Sequence, residues 1–337
     1  VIPHRTAVFH LFDYAVSDDY GVVSADIAFE VPPRQGSFIV IVTDDDGLRV
    51  TITELIGPDG IALIGGRGGD LNPLSPYIQT ASAMVPNFGG GPEPGAWSLR
   101  VGTFEPAVFD RLEPVQGEVE RVEVVFEPEP EAGGILDLHI GFAARFGFTA
   151  TTATTSEFYR DMMAQVGRSL LEPAGVTLGE VEISILSPDR DRIDSGDAVR
   201  ALCGERSRPG PFGTALNVFV VDDITYTAGQ AGGIPGPPGV VGTAASCVVL
   251  ERLGGRGRNT GILAAHEMGH FLGLRHTTEL DGTPDPVVDT PACTGNTRVE
   301  DCPDYRNLRF PRFPLDPELS LSPTQIEVIR RNPLLHE

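Results

Sequence analysis

Short runs rich in apolar and β-branched residues mark the first third of the chain, at 38–43, 49–55, 61–64 and 96–104, separated by Gly, Pro and Asp turns. Runs of this length and composition predict strands, and several of them at close spacing predict a β-sandwich. The pattern breaks at 127–134, which reads EPEPEAGG. Alternating proline and glutamate followed by paired glycines is linker chemistry, semi-extended and then flexible, so the boundary is placed there. Beyond it the pattern predicts a strand near 135–146, a helix over 156–171, strands near 181–186, 216–221 and 243–250, and a helix running into residue 271. Ser322 and the spacing of Ile326 and Ile329 predict a closing helix over 322–331. The fold expected is therefore multidomain: an all-β sandwich over 1–130 and an α+β domain over 135–337.

The predicted central helix carries the chemistry. Residues 266–276 read HEMGHFLGLRH. On a helix His266 and His270, four residues apart, leave one face about 6 Å from each other and can reach one metal ion. Gly273 stands where the helix must stop, since a residue without Cβ can take the left-handed conformation that turns His276 back toward the same point. Three neutral imidazoles leave a coordination position open, the mark of a catalytic rather than a structural zinc. Glu267 lies beside them as the base for an attacking water, and need not touch the ion. From the residue frequencies of this chain the full spacing would arise by chance only about a few times in 100,000 sequences. The alternative is a helix whose histidines are merely polar. The apolar flank of Ile262, Leu263, Ala264, Ala265, Phe271, Leu272 and Leu274 opposes it by predicting a buried helix.

These residues resemble the metzincin metallopeptidases, and among them the pappalysin-type and related bacterial secreted proteases. The acidic segment TTELDGTPDPVVDTPAC after His276, the strand LNVFVV at 216–221 and the loop GGIPGPPG at 232–239 are similar to the strand, cleft edge and post-motif loop of that branch. The resemblance implies a zinc endopeptidase with His266, His270 and His276 as ligands and Glu267 as general base. It also implies an extended protein or peptide substrate added along a sheet edge near 232–239. GPDG at 57–60 and GAWSLRVGTF at 95–104 resemble the P-domain and pre-peptidase sandwich modules that accompany secreted proteases.

The chain departs from that family at one place. The methionine expected in a turn beneath the metal is absent, because none of the four methionines follows His276. The best positional match, NLRFP at 307–311, puts Arg309 in its place, and Pro311 stands where some members carry a tyrosine. A buried arginine there is costly without a partner. The rival reading is accordingly a binding or adhesion protein built on a retired protease, which the intact ligands and Glu267 oppose. Asp281, Asp285 and Asp289 are candidate calcium ligands, with a plain acidic loop as the equal alternative.

Composition narrows the partners and the compartment. A formal charge of −22, with 25 arginines and no lysine, argues against nucleic acid and against anionic membrane surfaces. No apolar run reaches the length of a membrane helix. The chain begins at Val1, which suggests processing from a targeted precursor. Four cysteines permit three connectivities; the pairing expected is Cys203 with Cys247 and Cys293 with Cys302, in an oxidising compartment. A thiolate zinc site is the alternative, but no CxxC spacing supports it. The protein is expected to be secreted, periplasmic or on a bacterial cell surface.

Overall fold

The computed structural model describes residues 4–11, 15–17, 21–23, 27–44, 49–65, 80–86, 90–104, 119–130, 133–211, 213–279, 284–293, 298–312 and 318–337. Strands β1 (His4–Leu11), β2 (Ile27–Val31), β3 (Gln35–Thr43), β4 (Arg49–Ile56), β5 (Ala62–Gly65), β6 (Thr80–Val85), β7 (Gly95–Phe104) and β8 (Val119–Pro128) form two antiparallel four-stranded sheets. Their orders are β1-β8-β3-β6 and β2-β7-β4-β5. Alternate residues of both sheets, among them Phe38, Val40, Val42, Leu99 and Val124, meet in one buried cluster. Trp97 belongs to it, with its ring 5.0 Å from that of Phe38 and its Nε1–H donated to the Glu93 carbonyl. The indole is therefore a core residue with a satisfied donor.

Five further strands make the second layer: β9 (Ile135–Phe142), β10 (Thr177–Ile185), β11 (Leu216–Val221), β12 (Gly229–Ala231) and β13 (Cys247–Glu251), in the order β10-β9-β11-β13-β12. The first four are parallel, and β12 runs antiparallel along one edge. Helices cover both faces, so β11 and β13 are apolar at successive positions instead of alternating. Val218, Val220, Val248 and Leu250 join the side holding α1 (Glu157–Val166), while Phe219, Val221 and Val249 join the side holding α2 (Gly196–Arg206). Helix α3 (Gly257–Phe271) lies directly on α1, because Gly257 and Gly261 leave no Cβ where the backbones of Phe158 and Met162 approach. A short α4 (Pro323–Arg330) closes the chain, capped by Ser322.

Of the segment 127–134, read as a linker from its composition, residues 131 and 132 lie outside the described residues. Glu127 and Pro128 complete β8, a Cβ on Gly133 would lie 1.9 Å from the Gly175 carbonyl oxygen, and one on Gly134 would lie 2.8 Å from Leu335 Cβ. The glycines there serve close packing. The outward residues of the first sheet, Ile39, Ile41, Met84 and Val125, are buried in the same core as Leu272, Leu274, Val328 and Leu335. The two regions share an apolar contact on either side of the expected boundary.

Candidate metal centre

Helix α3 is buried along nearly its whole length, and its C-terminal turn ends at Gly273, where φ is +105°. Gly273 N–H donates to the His270 carbonyl and Leu274 N–H to the Gly269 carbonyl, which closes the helix and reverses the chain. His276 thereby returns to the helix face that carries His266 and His270. The Nε2 atoms of His266 and His276 are 3.3 Å apart, and those of His270 and His276 are 3.2 Å apart.

Their outer nitrogens fix the tautomers. His266 Nδ1 is 2.7 Å from the Leu308 carbonyl oxygen, His270 Nδ1 is 2.8 Å from that of Leu274, and His276 Nδ1 is 2.9 Å from Glu279 Oε2. Each partner is an acceptor, so each Nδ1 carries the hydrogen and each Nε2 turns a lone pair inward. Burial pushes His266 and His270 well below the ordinary imidazole range, and Arg309 adds to the shift. His276 is also lowered by burial, against the pull of its bond to Glu279. Three converging lone pairs repel one another unless a cation sits among them. Zinc fits: with Zn–N bonds of 2.0–2.1 Å, tetrahedral geometry requires nitrogens about 3.3 Å apart.

Glu267 is buried beside this cluster. Burial raises its carboxyl to about 7, against the lowering effects of Arg309 and of a hydrogen bond from the Ala231 backbone. The edge strand β12 passes directly over it, since a Cβ on Gly229 would lie 2.8 Å from Glu267 Cγ. Glycine at 229 is what lets the strand approach this carboxylate.

The turn at 307–310 packs against the histidines. Leu308 supplies the carbonyl for His266, Thr277 N–H donates to the Arg309 carbonyl, and Asp304 accepts from both Thr277 and Thr278. Arg309 is fully buried. Its guanidinium donates to the His266 carbonyl and, at 3.3 Å, to that of Arg275, and it lies against both ring nitrogens of His270. Burial lowers its pKa to about 9 despite the attraction of Glu267, Glu279 and Asp285. Gly269 makes room for its stem: a Cβ there would lie 3.2 Å from Arg309 Cδ.

Two of the three aspartates of the acidic loop are held by hydrogen bonds within the chain. Asp281 lies outside the described residues. Asp285 accepts from Thr290 Oγ1 and from Val287 N–H, whereas Asp289 accepts from Ser322 Oγ at 2.7 Å and Thr324 N–H at 2.9 Å, at the start of α4. Each carboxylate is thus engaged in holding the chain. Both expected disulfides are present, Cys203–Cys247 and Cys293–Cys302, with Cα separations of 5.5 and 5.2 Å.

Two functional residues escape the sequence reading. Glu279, which orients His276, had a faint signal as the acid three positions beyond a ligand. Asp304 had none, because its partners lie 26 and 27 residues away.

Residues 214–307 match the family model Peptidase_M43, described as pregnancy-associated plasma protein-A. No curated protein matches this chain. Among solved structures, mature mirolysin of Tannerella forsythia in complex with a cleaved peptide is 14% identical; the match covers 60% of this chain and 92% of that one, with a TM-score of 0.38. Metalloproteinase-II from Bacteroides fragilis is 12% identical over 65% of this chain and 63% of that one, with a TM-score of 0.36.

Proposed function

Taking the chain as a metzincin-like zinc metallopeptidase over the matched residues 214–307, we propose that it is a secreted endopeptidase in which Glu267 is the general base. The observation that carries this reading is the convergence of the three Nε2 lone pairs beside a buried carboxylate. His266, His270 and His276 would hold the ion, which when bound supplies a Lewis acid to the scissile carbonyl and the attacking water. Glu267 takes a proton from that water and returns it to the leaving amine, a role suited to a carboxyl whose pKa is near working pH. The antiparallel edge β12 is placed to pair with an extended substrate and lead it past Glu267.

Secretion is supported by the two disulfides, which persist in oxidising compartments. Among the described residues, no helix is long and apolar enough to cross a membrane. Calcium has no equivalent support, since Asp285 Oδ1 and both oxygens of Asp289 accept hydrogen bonds from the chain itself.

One observation favours the second reading, a binding protein on an inactive peptidase frame. Arg309 sits against His270 Nε2, the atom that would ligate, and stands in the methionine-turn position. The test that separates the two is digestion of an unbiased peptide mixture read by mass spectrometry, with a chelator control and Glu267→Ala. Chelator-sensitive cuts are expected from the wild type and a loss of about 100- to 10,000-fold in the variant, the usual scale for removing a general base. Stoichiometric zinc with equal silence from both proteins would transfer the assignment to the binding protein.

A further inference from the structure

We infer that the N-terminal sandwich is a working part of the metal centre, and that Met84 is a positioning residue for the zinc ligands; the inference rests on the zinc reading above. Among the contacts between the sandwich and the histidine-bearing half, one reaches the turn that ends α3. Met84 lies on β6, on the outward face opposite the sandwich core, and is only 1% exposed. Its Cε is 2.9 Å from the place a Cβ on Gly273 would occupy, and Val328 Cγ1 backs the same spot at 3.4 Å. The methyl end of Met84 therefore fills the space beside Gly273, in the turn that ends α3.

That turn governs two of the three ligands. Leu274, the next residue, supplies the carbonyl that holds His270 Nδ1, and its own N–H is bound to the Gly269 carbonyl. His276 follows three residues after Gly273 and depends on the reversal made there. A cavity in place of the methionine side chain would let the turn relax toward the sandwich, moving the Leu274 carbonyl and the start of the segment leading to His276. Histidine orientation through the outer nitrogen is worth about 10–100-fold in metal affinity in comparable sites.

A second contact from the same strand reaches the substrate side. Ser82 Oγ donates to the Pro235 carbonyl at 2.6 Å, Gly236 N–H donates to the Phe271 carbonyl at 2.9 Å, and Gly236 lies flat against the Phe271 ring. Residues 232–239 follow directly from β12, so this bond anchors the end of the edge strand. On the opposite flank Arg331 donates to the Gly90 carbonyl at 2.8 Å and to Glu129 at 2.7 Å, so that the sandwich is pinned at both ends.

The full chain is tested with Met84→Ala, Met84→Leu and Ser82→Ala. Zinc affinity is measured by competition with a chromophoric chelator, ligand geometry by the visible spectrum of the cobalt-substituted protein, and peptidase kinetics on one fluorogenic peptide. Met84→Ala should weaken zinc binding by about tenfold and alter the cobalt spectrum, with Met84→Leu restoring both to within about twofold. Ser82→Ala should raise KM about fivefold and leave zinc affinity unchanged, as loss of one buried hydrogen bond at the rim predicts. Wild-type zinc affinity and cobalt spectrum in Met84→Ala, whatever its melting temperature, would overturn the inference while leaving the zinc reading intact. Should Met84→Ala fail to fold, Met84→Val, which leaves a smaller cavity, is measured in its place, and wild-type zinc affinity and cobalt spectrum there count against the inference. A wild type that binds no zinc would instead defeat the underlying reading.

Discussion

Replacing Arg309 with methionine asks how heavily a buried cation burdens the site above it. Burial lowers the arginine well below its ordinary range, to about 9. At about 1.4 kcal/mol for each tenfold change in the protonation equilibrium, holding the charge there costs about 5 kcal/mol. That figure already includes the attraction of Glu267, Glu279 and Asp285, so for the metal-free protein the substitution should raise stability by up to about 5 kcal/mol, less about 1–3 kcal/mol for each of the His266 and Arg275 carbonyls it leaves without its donor. Metal binding is another matter. The guanidinium touches His270, so a divalent ion on Nε2 would lie about 5 Å from a positive charge, a repulsion of about 7 kcal/mol at an effective dielectric constant of 20. If the nearby carboxylates Glu267 and Glu279 cancel four-fifths of it, the remainder still amounts to about tenfold in affinity. Arg309→Met should bind zinc at least about tenfold more tightly than the wild type in chelator competition at neutral pH. Equal or weaker binding would refute the reasoning and show that the guanidinium supports the ligands through its carbonyl bonds more than it repels the ion.

Two further outcomes follow from the same geometry. Because burial holds the Glu267 carboxyl at about 7 in the metal-free fold against an ordinary 4.5, its contribution to stability is full below pH 4.5 and fades as pH rises through 7. Glu267→Gln should therefore gain on the wild type by about 3 kcal/mol between pH 4.5 and 8 in urea unfolding of the metal-free proteins, and a difference flat across that range would contradict the burial argument. The Cys203–Cys247 bridge closes a loop of 44 residues and Cys293–Cys302 one of 9. Double serine variants should lose about 4 and about 3 kcal/mol respectively in the same assay, and a larger loss at the short loop would mean that loop entropy is not what the bridges supply.

Much of the centre was legible because its geometry is local. Eleven consecutive residues set a helix, its stop and the return of His276, and each of those steps depends on one side chain or one missing Cβ. Strands such as 216–221 and the closing helix were legible for the same reason. The supporting contacts were not. The acceptors for His266 and His270 are backbone carbonyls of Leu308 and Leu274, which any residue could supply, so no letter marks them. Helix α2 and the three-residue edge strand β12 have too few apolar positions to show a period, yet the edge strand lies nearest Glu267. The paired glycines near 133 looked like freedom and proved to be closeness, since composition does not reveal what approaches a residue from elsewhere in the chain. One clue was present in the letters: Phe38 to Val42 are all apolar, which a strand with one wet face would not be.

That run constrains the protein's mutational freedom. A strand packed on one face leaves every second position open to drift. Along Phe38, Ile39, Val40, Ile41 and Val42 no such position exists, because odd and even residues answer to different cores. A change tolerated by one neighbourhood must also leave the strand's seat in the other undisturbed. Inherited variation in the sandwich should therefore collect on its opposite sheet and its loops, while this strand changes only in company with residues far along the chain, near Gly273 and α4.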